Sequence, residues 1–221
     1  MGIKLRGDVI KNSEMLKTLK LKVCGMRNAK NIEGLMDLKP DFMGFIFYPE
    51  SPRYAQDLNE ELMAKVPSSI NGVGVFVNEE IHKILALSDK YNLTYAQLHG
   101  DETLSYAMEL KTKGIKIIKV FRIKDSIPSA ALRYVNIADY LLFDTYTTGY
   151  GGSGRHFDWN ILKNYDIKVP FLLSGGVQIE DINEIKSMKL PMLAGLDVNS
   201  KFELEPGLKN LELVKELKNK L

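Results

Sequence analysis

Short apolar runs alternate along the chain with longer segments in which apolar residues recur every three or four positions. The short runs are rich in β-branched and aromatic residues, as buried strands are, whereas the longer segments have the period of a helix. We predict strands over eight runs: residues 22–25, 42–47, 72–77, 95–98, 116–120, 140–143, 170–173 and 192–196. A helical segment follows each run, so the sequence predicts eight successive βα units.

The predicted helices differ in length and in the signals at their ends. The fifth helix, over residues 127–135, is weaker than the others and has Pro128 near its start, where proline is tolerated. The sixth helix is short, around residues 159–162, and Gly114 is expected to end the fourth. We expect side-chain caps at the starts of the first, third and fourth helices: Asn28, Asn78 and Asp101.

Eight βα units indicate an α/β protein with a single (β/α)8 barrel, the TIM-barrel fold. Residues 20–221 provide about 25 residues per unit, which suits a small closed barrel. A doubly wound open sheet, which also alternates strands and helices, is the alternative. Residues 1–19 form an amino-terminal extension, which is either a frayed tail or a short helix under the barrel. That helix would use the apolar residues Leu5, Met15, Leu16 and Leu19.

The composition excludes several classes of function. A net charge of +2 gives no reason to expect binding to nucleic acid or to an anionic membrane. Cys24 is the only cysteine, which excludes an intrachain disulfide and a cysteine-rich zinc site. The three histidines lack the spacing of metal ligands, so we expect no metal. The chain has neither the apolar stretch of a signal peptide nor a run long enough to span a membrane, so we expect a cytoplasmic protein.

Polar residues and glycines gather directly after the predicted strands. In a (β/α)8 barrel the carboxyl ends of all strands meet at one rim, and the active site lies at that rim. We therefore expect one site to be built from the following positions: residues 24–25, 48–53, 97–100, 144, 174–176 and 197–200.

The loops after the seventh and eighth strands have the features of a phosphate site. They carry Gly175, Gly176, Asn199 and Ser200. Glycines let backbone N–H groups approach an anion closely, and these two loops are the usual phosphate site of the fold. We predict that these four residues bind a phosphate group, an ordinary tight turn being the alternative.

The loop after the sixth strand is the longest and is rich in glycine. Residues 149–156 are close to a P-loop but lack its lysine and hydroxyl residue, and their glycine spacing does not fit a dinucleotide site. A mobile lid over a reactive intermediate is the interpretation that we favour. A merely flexible loop is the alternative.

Three further side chains at strand ends are candidates for chemistry. Cys24 suits a base or a nucleophile, although most lone cysteines are buried core residues. Asp144 suits a general acid if its pKa is raised, and otherwise a helix cap or a salt bridge. Arg53 suits the binding of a carboxylate, and otherwise an ordinary surface position. His82 lies within the third helix and is expected at the surface.

Nine motifs follow one another along the chain: KVCGM at 22–26, MGFIFYPESPRY at 43–54, VGVFVNE at 73–79, QLHGDE at 97–102, LFDT at 142–145, YGGSG at 150–154, FDW at 157–159, LSGG at 173–176 and LDVNS at 196–200. Together these motifs resemble the phosphoribosylanthranilate isomerase family of tryptophan biosynthesis. The resemblance covers residues 20–221, about nine tenths of the chain, and its motifs follow one another in the family's order. One departure is Lys201-Phe202, where similar proteins usually have Gly-Val, and it affects the detail of the phosphate loop.

The resemblance implies an Amadori rearrangement of N-(5-phosphoribosyl)anthranilate, in which an aminoaldose becomes an aminoketose. An acid protonates the ring oxygen and opens the furanose to a Schiff base, and a base then removes the proton on ribose C2. The resemblance assigns the acid to Asp144 and the base to Cys24, since a thiol with a pKa near neutrality can serve as a base. Nothing is oxidised and no group leaves, so no cofactor is expected.

The resemblance also assigns the residues that bind the substrate, a small phosphorylated molecule. Arg53 would bind the anthranilate carboxylate, and His99 and Asp197 would line the pocket. The phosphate would be held by the four residues already predicted for it: Gly175, Gly176, Asn199 and Ser200. The oligomeric state is left open between a monomer and a homodimer.

Two other classes of function remain as alternatives. The first is a different phosphosugar barrel. An indole-glycerol-phosphate synthase needs a catalytic lysine at a strand end, for which Lys22 and Lys119 are candidates. A histidine-pathway isomerase needs aspartates at strands one and five, and this chain lacks that pair. The second is a barrel that senses a phosphorylated metabolite without catalysis, and the presence of Cys24 and Asp144 argues against it.

Overall fold

A computed structural model describes residues 18–146 and 157–221. Eight parallel strands close into a barrel in chain order, each paired with the next and the last paired with the first. The predicted barrel is confirmed, and the open sheet is excluded. In chain order the strands β1 to β8 are Lys20–Val23, Phe42–Ile46, Asn71–Phe76, Tyr95–Leu98, Lys116–Ile123, Tyr140–Thr145, Phe171–Leu173 and Leu193–Val198.

Six α-helices lie between the described strands or after the last of them. In chain order the helices α1 to α6 are Ala29–Leu38, Glu60–Met63, Ile81–Lys90, Leu104–Thr112, Ile182–Ser187 and Leu211–Lys220. The connections after β5 and β6 contain 3-10 turns, Ser129–Tyr134 and Trp159–Asn164, in place of the predicted α-helices. Each of these segments has six residues, and i→i+3 bonds close a turn with fewer residues than α-helical bonds need.

One of the three predicted helix caps is confirmed. The Asn28 side chain accepts a hydrogen bond of 3.1 Å from the backbone N–H of Asn31 in the first turn of α1. Asn78 does not cap the third helix, because its side chain accepts a hydrogen bond from the backbone N–H of Asp101 at 2.8 Å. Asp101 is not the cap of the fourth helix. Thr103 caps α4. Gly114, with φ of +88°, follows the end of that helix as predicted.

Alternation along the strands separates two apolar layers. A small cluster of side chains fills the barrel, and a larger one joins the outer faces of the strands to the helices. Residues two apart on a strand share a face, so Leu142 and Asp144 of β6 point the same way, as do Tyr95 and Gln97 of β4. Each of these strands therefore gives the barrel interior an apolar residue first and a polar residue near its carboxyl end. The inner cluster consists of Phe42, Val73, Tyr95, Ile118, Val120, Leu142 and Leu172.

Two predictions concern residues outside the described parts of the chain. They are the helix that would use Leu5, Met15 and Leu16, and the lid in the loop after the sixth strand, of which residues 147–156 lie outside the described ranges. Among the helices that the structure describes, none combines the length and the apolar character needed to span a membrane.

Candidate active site

A cavity of about 190 Å³ opens at the carboxyl ends of the barrel strands. Its lining brings together side chains from strands that are far apart in sequence. The predicted site residues all lie in this lining: Cys24, Arg53, His99, Asp144, Gly175, Gly176, Asp197, Asn199 and Ser200. One cavity at this rim thus brings together residues that follow different strands.

A buried ammonium group lies beside the Cys24 thiol. Lys22 precedes Cys24 by two residues on β1, and its Nζ contacts Asp197 Oδ1 at 2.8 Å and also hydrogen-bonds to the thiol. Burial alone would lower the pKa of Lys22, but the neighbouring Asp197, by its charge and its hydrogen bond, contributes most to the raised value. Lys22 is therefore a permanent cation inside the barrel. The space for the thiol depends on Gly44, where a Cβ atom would lie 2.9 Å from Cys24 Sγ.

The pKa of the Cys24 thiol is raised rather than brought close to neutrality. Cys24 is buried, and its loss of contact with water raises the pKa of the thiol above its ordinary value of about 9. Lys22 acts in the opposite direction, by its charge and by its hydrogen bond, but does not outweigh burial. The thiolate is thus a minor form of Cys24 in the free protein.

Burial raises the pKa of Asp144 to about 6. The side chain is 6 % exposed, and the backbone N–H of Thr145 opposes the shift by donating to Oδ1 at 2.8 Å. A carboxyl group in this state gives up its proton near neutral pH, as a general acid must. The alternative interpretations of Asp144, a helix cap and a salt bridge in a loop, do not apply, because the residue lies within β6.

His99 lies next to Asp144 and is neutral. Burial, together with the charges of nearby cations, lowers the pKa of His99 to about 3. Its Nδ1 is 3.4 Å from Gln97 Nε2, and its Nε2 is 3.6 Å from Asp144 Oδ2. Since the Gln97 amide donates to Nδ1, the ring proton sits on Nε2 and faces the carboxylate. Gln97, which belongs to the predicted site positions 97–100, also lines the cavity and lies two residues before His99.

Arg53 is held by a carboxylate of the protein. Its Nε and Nη2 donate to Glu203 at distances between 2.6 and 3.0 Å, and the side chain is only 19 % exposed. The interpretation of Arg53 as an ordinary surface residue is therefore wrong. Glu203 also accepts a hydrogen bond from the buried Lys209, which donates to Asn199 as well. Sequence reasoning missed Glu203 and Lys209, because both lie about 150 positions from Arg53 along the chain.

The loop after β7 has the backbone geometry of an anion site. Gly175 and Gly176 have φ of +91° and +84°. A Cβ atom at Gly175 would lie 2.4 Å from Thr145 Oγ1 and 2.9 Å from Thr145 N, so only glycine fits there. In the loop after the neighbouring strand β8, Asn199 leads into the short 3-10 turn Ser200–Phe202.

The departure at Lys201-Phe202 has a structural explanation. Phe202 is buried in the core, while Lys201 is exposed and lines the cavity. The pair thus fills the core on one side and adds a positive charge beside the predicted phosphate residues on the other. In the described parts of the chain, no three histidine, cysteine, aspartate or glutamate side chains come together as a metal site.

Comparisons with known proteins point to one family. The family model for N-(5'-phosphoribosyl)anthranilate (PRA) isomerase matches residues 21–220. An N-(5'-phosphoribosyl)anthranilate isomerase of Phocaeicola vulgatus is 43% identical over 202 residues, which cover 91% of this chain and 97% of that protein. A protein of the same name from Parabacteroides distasonis is 41% identical, with coverages of 88% and 90%.

Solved structures agree with this similarity. The phosphoribosyl anthranilate isomerase of Thermotoga maritima is 31% identical, with a TM-score of 0.79 and coverages of 92% of this chain and 98% of that one. Another phosphoribosyl anthranilate isomerase, solved in complex with reduced 1-(o-carboxyphenylamino)-1-deoxyribulose 5-phosphate, is 28% identical, with a TM-score of 0.76 and the same coverages.

Proposed function

The chain belongs to the N-(5'-phosphoribosyl)anthranilate isomerase family, an assignment from which we propose how its cavity performs the isomerisation. The enzyme is an isomerase of tryptophan biosynthesis, and its substrate is an aminoaldose that carries a phosphate at one end and an anthranilate carboxylate at the other. The other phosphosugar barrels and the non-catalytic sensor are set aside by this membership.

We propose that Asp144 is the general acid that opens the ribose ring. The reaction begins with transfer of a proton to the furanose oxygen, while the C1–O bond breaks and the nitrogen lone pair forms the Schiff base. The raised pKa of Asp144 supports this role, because the carboxyl keeps a transferable proton at a pH where an exposed aspartate is ionised. The neutral His99 faces the same carboxyl, and its Nε2–H is placed to donate a hydrogen bond to Asp144 once Asp144 has become a carboxylate, without giving up the proton.

Cys24 is the base that removes the proton from ribose C2. The electrons of that C–H bond move to form the C1–C2 double bond of an enol, and the Schiff-base nitrogen becomes an amine again. The enol then tautomerises to the ketose product. The buried Lys22 supports this role, because a cation in hydrogen-bond contact with the thiol stabilises the thiolate that must form.

The two ends of the substrate bind on opposite sides of this pair. Arg53 holds the anthranilate carboxylate through its free N–H groups, and Asp197 contacts the sugar. The phosphate lies against Gly175, Gly176, Asn199 and Ser200. The observation that carries the whole proposal is that one cavity is lined by Cys24 from the end of β1, by Asp144 from β6, and by the anion-binding loops after β7 and β8.

The pH dependence of kcat/KM tests the acid assignment. Activity requires protonated Asp144 together with ionised Cys24. Below pH 6 the rate rises with pH, because thiolate accumulates while Asp144 stays protonated. Above about 6, the pKa of Asp144, loss of the acid cancels the gain in thiolate and the profile becomes flat until the raised pKa of Cys24 is reached. We therefore expect a break near pH 6.

The variant Asp144→Asn separates this break from the titration of the substrate phosphate, whose own pKa is about 6. Its residual rate is expected to rise through pH 6 without a break. Asp125→Asn makes the same chemical change on an exposed loop and is expected to keep the break. A break that persists unchanged in Asp144→Asn would exclude Asp144 as its source.

We also infer that the enzyme works in the cytoplasm, as a monomer or a homodimer. The proposed base must stay a free thiol, which a reducing compartment ensures. The residues to which we assign roles all belong to one chain, so the proposed reaction does not require a partner subunit. Light scattering of the purified enzyme decides between the two oligomeric states.

A further inference from the structure

A buried ion cluster lies behind the Arg53 side of the cavity. It is formed by a hairpin that follows β8, in which β9 is Glu203–Glu205 and β10 is Leu208–Lys209. The side chains of Glu203 and Lys209 are 4% and 0% exposed, and Lys209 Nζ contacts Glu203 Oε1 at 2.6 Å. Neither residue lines the cavity, yet Glu203 reaches Arg53, which does.

Glu203 occupies one particular edge of the Arg53 guanidinium group. Its carboxylate accepts from Nε at 2.9 and 3.0 Å and from Nη2 at 2.6 Å, which is the side-on arrangement. A guanidinium group has five N–H bonds, and Glu203 does not occupy all of them. The end-on edge, which is made by Nη1 and the second hydrogen of Nη2, makes no contact with Glu203 in this arrangement. That edge has the geometry to bind a second carboxylate with two parallel hydrogen bonds.

The cluster holds Glu203 rigidly in this orientation. Burial favours the neutral form of Glu203, but hydrogen bonds from Arg53 and Lys209 outweigh burial and lower its pKa, so the group is a carboxylate. The hairpin is anchored to α1, because the Asn31 side chain accepts from the backbone N of Lys209 at 2.7 Å and donates to its carbonyl oxygen at 2.9 Å. The Glu203 carboxylate is thereby fixed relative to the barrel.

We propose that Glu203 is a positioning residue that turns the end-on edge of Arg53 toward the carboxylate of the substrate. The proposal rests on the carboxylate-binding role proposed above for Arg53. Arginine side chains lose considerable rotamer entropy when they bind a ligand, and a guanidinium group that is already fixed has less to lose. Glu203 thus acts on the affinity for the carboxylate of the substrate.

The test compares two ligands that differ only in that group. The first is reduced 1-(o-carboxyphenylamino)-1-deoxyribulose 5-phosphate, and the second is the same compound without the carboxyl group. Dissociation constants are measured by calorimetry for the wild type, Arg53→Ala, Glu203→Gln and Glu205→Gln. Glu205 lies two residues away on β9 and is exposed, so it is the matched control. The ratio of the two constants reports on carboxylate recognition alone.

We expect the wild type to prefer the carboxylated ligand by about 100-fold, which is the range of a charge-assisted bidentate pair. Arg53→Ala should lose this preference, Glu203→Gln should reduce it to about tenfold or less, and Glu205→Gln should keep it. Glu203→Asp retains the charge next to Lys209, but its shorter arm cannot reach both Nε and Nη2, so it should also reduce the preference.

The outcomes separate the two proposals. If Arg53→Ala keeps the preference, Arg53 does not bind the carboxylate, and the premise fails. If Arg53→Ala loses the preference while both Glu203 variants keep the wild-type ratio, the premise stands and the positioning role is wrong. If the role of Glu203 were merely structural, its replacement would weaken the binding of both ligands equally and leave the ratio of the two dissociation constants unchanged. That result would also contradict the proposal.

Discussion

Replacing Asp144 with asparagine is expected to lower kcat by about 10²- to 10⁴-fold, the contribution typical of a positioned general acid. The asparagine amide has nearly the shape of the carboxyl, and its oxygen can accept the same hydrogen bond from Thr145 N–H, so the fold should not change. What is lost is the proton for the ring oxygen. The measurement follows the loss of phosphoribosylanthranilate fluorescence under saturating substrate.

Two controls show whether the effect is chemical. Asp125→Asn on the exposed loop after β5 should keep the wild-type rate. The affinity of Asp144→Asn for the reduced product analogue should be nearly unchanged, because the substrate ends bind elsewhere. Near-wild-type turnover of Asp144→Asn would refute the acid assignment.

Cys24→Ser is expected to lower kcat by a similar factor, about 10²- to 10⁴-fold. Serine keeps the size and position of the side chain, but its hydroxyl ionises far less readily than a thiol. The raised pKa of Cys24 already makes the thiolate a minor form, and an alkoxide at that buried position would be rarer still. Turnover is measured with the same fluorescence assay.

Cys24→Ala provides the comparison, because the chain has no second cysteine for a matched control. Alanine removes the base altogether and should be as slow as serine, while both variants should still bind the product analogue. If the alanine variant only unfolded at a lower temperature and kept its rate, Cys24 would be a core-packing residue. That result would leave the barrel without the proposed base.

The barrel could be predicted from the sequence because its strand signals are local. Eight apolar runs at regular intervals are enough to indicate eight βα units, and the register of a closed barrel then brings their carboxyl ends together. The ends of elements were harder to predict. Strand β6 continues to Thr145, so Asp144 lies inside the strand rather than after it. Asn78 bonds to Asp101 rather than to its own helix, which is a tertiary contact that no local pattern signals.

The residues that line the cavity could be named from the sequence, whereas the electrostatics of the cavity could not be predicted. Strand ends could be found in the sequence, so the residues that line the cavity could be named. The pKa of Cys24 could not be predicted, because it depends on how completely the barrel removes the thiol from water. The position of Lys22 beside Cys24 could have been predicted, since residues two apart along an extended segment share a face. Glu203 carried none, because its contact with Arg53 depends on how a distant hairpin packs.

Deuterium at ribose C2 of the substrate gives the most direct test of the central claim that a thiol and a carboxyl act in sequence on one sugar. Cys24→Ser slows the step that breaks the C2–H bond, so this variant is expected to show the full primary isotope effect on kcat. Asp144→Asn slows the ring opening that comes first, so its isotope effect is expected to fall toward unity. The same isotope effect in both variants, or the reverse order, would contradict the assignment of the two groups.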